Sequence, residues 1–274
     1  MSEPGGNQYE DALSASEMRR LRFRNIPVRV VLPNLVTLLA LCMGLTSIRY
    51  AIEGRFETAI TAVMAAAVLD GLDGRIARAL KGTSRFGAEL DSLSDFVDFG
   101  VAPALLLYLW SLHEIKGLGW FAVLVFVIAA ALRLARFNVM TDDPTKPAWH
   151  ADFFVGMPAP AGAVTVLLPL YLNLSVLELP ATKGLAIFNI FYVIAIALLM
   201  ASRIPHFSGK RIGRIPRDLV IPVLFGVGAT ILLLAIYPME LLAVVSLAFL
   251  AMIPFSVKHY NKLAKAEATR NAVS

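Results

Sequence analysis

The chain has little of what most soluble catalytic sites are built from. Cys42 is its only cysteine, so no disulfide forms within the chain, and cysteine usage says nothing of its redox compartment. Charge is scarce as well: 16% of the 274 residues are Asp, Glu, Lys or Arg, where a soluble domain carries about 25%. With 58% hydrophobic residues and a mean hydropathy of +0.69, an ordinary soluble domain is excluded. The formal net charge of +5 is modest, and no nucleic-acid partner is expected. The first 29 residues lack the apolar core of a signal peptide, so the first apolar run is expected to stay in the protein. No internal repeat is visible.

Long apolar runs take the place of charge. They cover approximately 31–50, 57–80, 91–112, 118–140, 157–175, 184–202, 218–236 and 239–257. Each approaches the roughly 20 residues that a helix needs to cross a hydrocarbon core. The connections near Glu53, Lys116, Glu178 and Glu240 carry few basic residues. The others carry Arg78, Lys81 and Arg85, then Lys146, then Arg203, Lys210, Arg211, Arg214 and Arg217, and the end carries Lys258, Lys262 and Lys265. By the positive-inside rule the basic segments and both termini face the cytoplasm.

The expected fold is all-α: a polytopic transmembrane helix bundle of about eight spans in the cytoplasmic (inner) membrane, forming one domain over 30–258. Residues 1–29 read as a cytoplasmic tail with an amphipathic juxtamembrane helix. There Ser14 and Glu17 make a capping box, and Met18, Leu21 and Phe23 alternate with Arg19, Arg20, Arg22 and Arg24, a pattern suited to an anionic leaflet. Residues 259–274 read as a cytoplasmic C-terminal tail. Pro158, Pro160 and Pro169 are expected to kink the fifth run.

Against this background one stretch stands apart: residues 70–95, DGLDGRIARALKGTSRFGAELDSLSD. It places Asp70, Asp73, Asp91 and Asp95 in or at the edge of membrane-spanning helix, where each central carboxylate costs about 2.5–3.5 kcal/mol. Asp70, Asp73 and Ala77 share one helical stripe; Gly87, Asp91 and Asp95 share another. Gly82, Thr83 and Ser84 between them are turn residues, so two antiparallel helices would face each other with two carboxylates apiece. An all-oxygen site of this kind suits hard divalent ions such as Mg²⁺ or Mn²⁺. With no His or Cys in the stretch, zinc is not expected.

The pattern Asp-x2-Asp-Gly-x2-Ala-Arg-x8-Gly-x3-Asp-x3-Asp, filled by Asp70, Asp73, Gly74, Ala77, Arg78, Gly87, Asp91 and Asp95, resembles the signature of the CDP-alcohol phosphotransferases. The resemblance covers roughly residues 30–200. It implies that Asp70, Asp73, Asp91 and Asp95 bind two divalent ions, Mg or Mn, and that Asp95 is catalytic, taking the proton of the acceptor hydroxyl. It implies a CDP pocket of Asn34, Asp70, Asp73, Gly74, Ala77, Arg78 and Gly87. It also implies a homodimer. Pro33, Asn34 and Thr37 open the first run beside the nucleotide, although Pro and Asn there are equally ordinary helix-start chemistry.

Two shorter stretches narrow the branch. RLARFN, with Arg133, Arg136 and Asn138, ends the fourth run at the acids' side of the membrane and suits an anionic acceptor group or a lipid phosphate. Together with FVGMPAPAGA at 154–163, it looks like the branch of the family whose acceptor is serine. The activity so implied transfers the phosphatidyl group of CDP-diacylglycerol to the hydroxyl of L-serine, giving phosphatidylserine and CMP, among membrane lipids. Glycerol 3-phosphate or inositol as acceptor stays open. So does a cation transporter that uses the intramembrane carboxylates as its pathway.

Overall fold

The structure, a computed structural model, describes residues 28–141, 153–175, 182–207 and 219–273, with side chains of the last helix described as far as Leu263. The amphipathic helix expected from Ser14 and most of the basic cluster, Lys210, Arg211, Arg214 and Arg217, lie outside the described residues. Each of the eight apolar runs is helical. Among the described residues, five stretches suffice by length and composition to cross a membrane: Val28–Ile52, Arg85–Trp110, Leu112–Val139, Lys183–Ala201 and Pro238–Leu263. Ala159–Leu174 and Val220–Ile236 are shorter apolar helices.

Helix α1 (Val28–Ile52) buries Pro33, Thr37, Ala40, Gly44, Ser47 and Ala51, a face of small residues at helical spacing. Small side chains let α2 (Phe56–Ala79) approach closely, and the two form the most extensive helix pair among the described residues. Pro33 was expected to open the first helix; it lies instead within α1, which starts at Val28. Proline has no N–H to donate, so the carbonyl of Arg29, four residues earlier, lacks its helical partner.

The third rod changes character along its length. Helix α3 (Arg85–Asp95) runs into a π-helical turn, Phe96–Val101, and then into α4 (Ala102–Trp110). Pro103 explains the wide turn: its ring crowds the carbonyl four residues back. The N–H of Ala102 reaches five residues, to Val97. A short 3-10 segment, Leu112–Ile115, leads into α5 (Lys116–Thr141).

The fifth run is divided, as its prolines predict. Helices α6 (Ala159–Val166) and α7 (Leu168–Leu174) are separated just before Pro169. Helix α8 (Lys183–Ala201) packs along α5, and α9 (Val220–Ile236) and α10 (Pro238–Val273) complete the chain. Helix α10 continues through the residues read as a C-terminal tail. No side chain of α9 is buried, and its exposed Leu224 and Phe225 suit lipid contact.

Two short strands, β1 (Phe153–Val155) and β2 (Pro205–Phe207), pair antiparallel with Phe154 opposite His206. Gly156 follows β1 with φ +78 and donates its N–H to Ile204 O at 3.0 Å. A side chain there would meet the carbonyls of Ser202 and Met200 at 2.7 and 2.8 Å, which gives the glycine of the FVGMP stretch its reason. The sheet thereby ties the approaches to α6 and the exit of α8 together at the end of the bundle that holds the acids.

Candidate active site

The acids are carried by the end of α2 and the start of α3, joined by a tight turn. Leu80 and Gly82 donate to Ile76 O and Ala77 O at 2.9 Å each, and Lys81 turns the chain with φ 50. Gly82 packs against the carbonyl of Arg29, and any side chain there would strike it. That is the carbonyl left free by Pro33, so the proline within α1 and the glycine of the turn fit one another. Ser84 then caps α3, its Oγ accepting the Gly87 N–H at 3.0 Å. At Gly87 a Cβ would come to 2.8 Å from Asn34 Oδ1 and 3.1 Å from Ser84 Oγ, so the glycine leaves room for both side chains where they stand. At Gly74 a Cβ would meet only Arg78 Nη1, at 3.5 Å. The protein does not require glycine there, and its absent side chain leaves room on the open side.

The structure brings Asp70, Asp91 and Asp95 together: one carboxylate oxygen from each lies within 4.8 Å of the others. Asp70 and Asp95 are in direct side-chain contact, and two facing carboxylates repel unless a proton or a cation lies between them. Asp95 Oδ1 is buried without a hydrogen-bond partner. The ion pairs Arg49–Glu53, Arg55–Glu53 and His113–Glu114 lie at the opposite end of the helices, away from this cluster. Oxygen-only donors, an orphaned carboxylate oxygen and three acids that share, among the described residues, a single neighbouring guanidinium, that of Arg133, fit a hard divalent ion. Asp73 stands beside the trio, 3% exposed, with Oδ2 accepting from Thr37 Oγ1 at 2.5 Å.

A cleft of about 490 Å³ opens beside the acids. Of the residues expected to hold CDP, Asn34, Asp73, Gly74, Ala77, Arg78 and Gly87 line it; Asp70 does not and belongs to the carboxylate trio. Asp91 belongs to both. Backbone and hydroxyl groups of the turn, at Gly82, Thr83 and Ser84, complete the wall with Thr37.

The three residues expected at an acceptor or lipid-phosphate site are not alike. Arg133 is 7% exposed, interacts electrostatically with Asp95 and lies over the ring of Phe137 at 5.2 Å. Arg136 Nη1 donates to Ser202 O at 3.0 Å, satisfying a carbonyl just past the end of α8. Asn138 Nδ2 donates to Ser92 Oγ at 2.9 Å, joining the ends of α5 and α3. Only Arg133 addresses the carboxylates.

Sequence reasoning passed over Ser94 and Asp98, both buried in the same rod. Asp98 follows Asp95 by three residues, a signal visible in the sequence, but the stripe Gly87, Asp91, Asp95 leaves it out. The π turn, which no spacing rule anticipates, swings it toward α1.

The site is thus a carboxylate cluster and a polar cleft at one end of an apolar helix bundle, and the chain belongs to the CDP-alcohol phosphatidyltransferase family, whose description it matches over residues 30–201. Its relatives include the CDP-diacylglycerol–serine O-phosphatidyltransferase of Mycobacterium leprae, 44% identical over 85% of this chain and 77% of that protein. The enzyme of the same name from Mycobacterium tuberculosis is 40% identical over 86% of this chain and 81% of its own length. An archaetidylserine synthase of Methanothermobacter thermautotrophicus is 34% identical over 65% and 70%.

Proposed function

We propose that this protein transfers the phosphatidyl group of CDP-diacylglycerol to the hydroxyl of L-serine, releasing CMP. The observation that carries the reading is the carboxylate trio from two helices, beside a cleft whose walls are the signature residues. The names of its relatives support serine as the acceptor. The chain is a multi-pass membrane protein, which suits a donor whose acyl chains remain in the bilayer while its nucleotide reaches the cleft. All eight helical rods cross the membrane in this reading, with the cleft and both termini on the cytoplasmic side of the inner membrane. Two copies pair as a homodimer.

Asp70, Asp91 and Asp95, with Asp73 alongside, would hold two divalent ions, Mg²⁺ or Mn²⁺. When bound, such ions neutralise the diphosphate and the charge that develops on departing CMP. The chain's own groups do the rest. Asn34, Thr37 and Arg78 hold the nucleotide in the cleft, with Gly74 leaving space for it. Serine enters with its carboxylate toward the Arg133 guanidinium, which meets a carboxylate in a bidentate way that lysine cannot match. Its hydroxyl lies at Asp95. The proton passes to the Asp95 carboxylate as the serine oxygen bonds to the lipid-side phosphorus. The bond from that phosphorus to the CMP oxygen breaks, and CMP leaves with the electron pair.

The test is CMP release by the purified protein with CDP-diacylglycerol and a panel of acceptor alcohols. Serine should be used in preference to glycerol 3-phosphate and inositol. A preference for either of these would change the acceptor and leave the family untouched.

A further inference from the structure

Asp98 has no part in the signature and none in the reaction just described, yet it is 1% exposed in the interior of a membrane protein. It lies in the π-helical turn, and such turns are frequent at functional positions. Its Oδ2 accepts from Ser94 Oγ at 3.1 Å, while Oδ1 is buried with no hydrogen-bond partner. That free oxygen occupies the place a side chain would take at Gly44 of α1; a Cβ there would also come to 3.2 Å from the Asp98 Cα. The carboxylate therefore sits in a notch that only glycine provides.

The same serine reaches α1 a second time. Ser94 Oγ is 3.3 Å from the carbonyl of Thr37, so one hydroxyl proton is shared between Asp98 and the α1 backbone. Thr37 lies two turns before Gly44 on the same face, and its own hydroxyl donates to Asp73 at 2.5 Å. A polar chain thus runs from Asp98 through Ser94 and Thr37 to Asp73 on the wall of the cleft. Helix α1 also carries Asn34 against Gly87. Its axial position relative to α2 and α3 decides where Asn34 and Thr37 stand.

We infer that Asp98 is a positioning residue: seated in the Gly44 notch and bonded to Ser94, it sets the register of α1 and so the nucleotide-binding geometry of the cleft. The inference rests on the reading of that cleft as the nucleotide site. It does not depend on which alcohol is the acceptor.

The experiment measures CMP binding by calorimetry in detergent with Mg²⁺ present, beside the two KM values. Asp98→Ala and Gly44→Ala should each weaken CMP about tenfold, the size of one ordinary hydrogen bond. The KM for CDP-diacylglycerol should rise by a similar factor while that for serine stays within about twofold. Asp98→Asn, which can still accept from Ser94, should recover most of the affinity. Ser94→Ala makes a smaller perturbation and should weaken CMP in the same direction, so the idea stays testable should Gly44→Ala fail to insert. An Asp98→Asn protein as weak as Asp98→Ala would overturn the inference, because charge rather than position would then matter. Unchanged CMP affinity in all the variants, or a rise confined to the serine KM, would overturn it too. Failure of the wild type to bind CMP would overturn the nucleotide reading first, and this inference with it.

Discussion

At the scale of single residues, the acids and the arginines make separable predictions. Asp70→Asn, Asp73→Asn and Asp91→Asn should each abolish turnover in protein that still inserts and purifies. EDTA should silence the wild type, and Mg²⁺ or Mn²⁺ should restore it; full activity in excess chelator would rule out the metal reading. Asp95→Asn should lower kcat by about 10²–10⁴-fold, the usual contribution of a general base, while CDP-diacylglycerol still binds. If binding goes with turnover, Asp95 is a metal ligand alone. Arg133→Ala should raise the KM for serine by about 10–150-fold, from a charge-assisted contact of roughly 1.5–3 kcal/mol. Arg136→Ala should act otherwise. Its guanidinium is spent on the Ser202 carbonyl, so it should lower the melting temperature and leave the serine KM within about threefold. Steady-state kinetics and melting of the two variants, side by side, decide between them.

At the scale of elements, the β1–β2 pair joins the approaches to the site, and His206 is its buried titratable residue. Its Nδ1 faces Ile204 O at 2.8 Å and so carries the proton, leaving Nε2 as a buried acceptor with no donor. The ring stacks on Phe249 of α10. Burial, which outweighs the favourable backbone carbonyl, pushes the pKa of His206 below its ordinary value of 6.5. Below pH 6.5 the unfolded chain therefore binds a proton that the folded protein resists. The stability linked to neutral His206 is complete above that pH and is lost as pH falls toward the lowered value. Thermal melts of purified protein should show a fall between neutral and mildly acidic pH that is shallower in His206→Gln. Identical pH profiles would mean that the strand pair loosens at no cost when His206 is protonated.

For the whole molecule, the single cysteine makes orientation in the membrane directly measurable. In a Cys42→Ser background, Thr83→Cys at the cleft mouth and Glu53→Cys at the opposite end of α1 should label from opposite sides of the membrane. A membrane-impermeant maleimide should reach position 83 only in inside-out vesicles and position 53 only in right-side-out ones. The reverse pattern would place the cleft on the outer face and overturn the proposed cytoplasmic orientation.

Much of this protein was legible without coordinates. Apolar runs near the length of a bilayer's thickness dictate helices, because a backbone in hydrocarbon must satisfy its own hydrogen bonds. Carboxylates at i and i+3 on one helix and at i and i+4 on the next share faces, because 3.6 residues make a turn. Those two regularities suffice for the bundle and for the pairing of Asp70 with Asp91 and Asp95. Contacts between distant segments are not periodic, and only the tertiary structure decides them. It assigned Arg133 to the acids and Arg136 to a helix end, though the two are three residues apart on one helix. It fitted Gly82 to the carbonyl that Pro33 leaves free, 53 positions away in the chain from Arg29. And it turned Asp98 into the Gly44 notch through a π-helical turn, where the angle per residue departs from the one that sequence patterns assume.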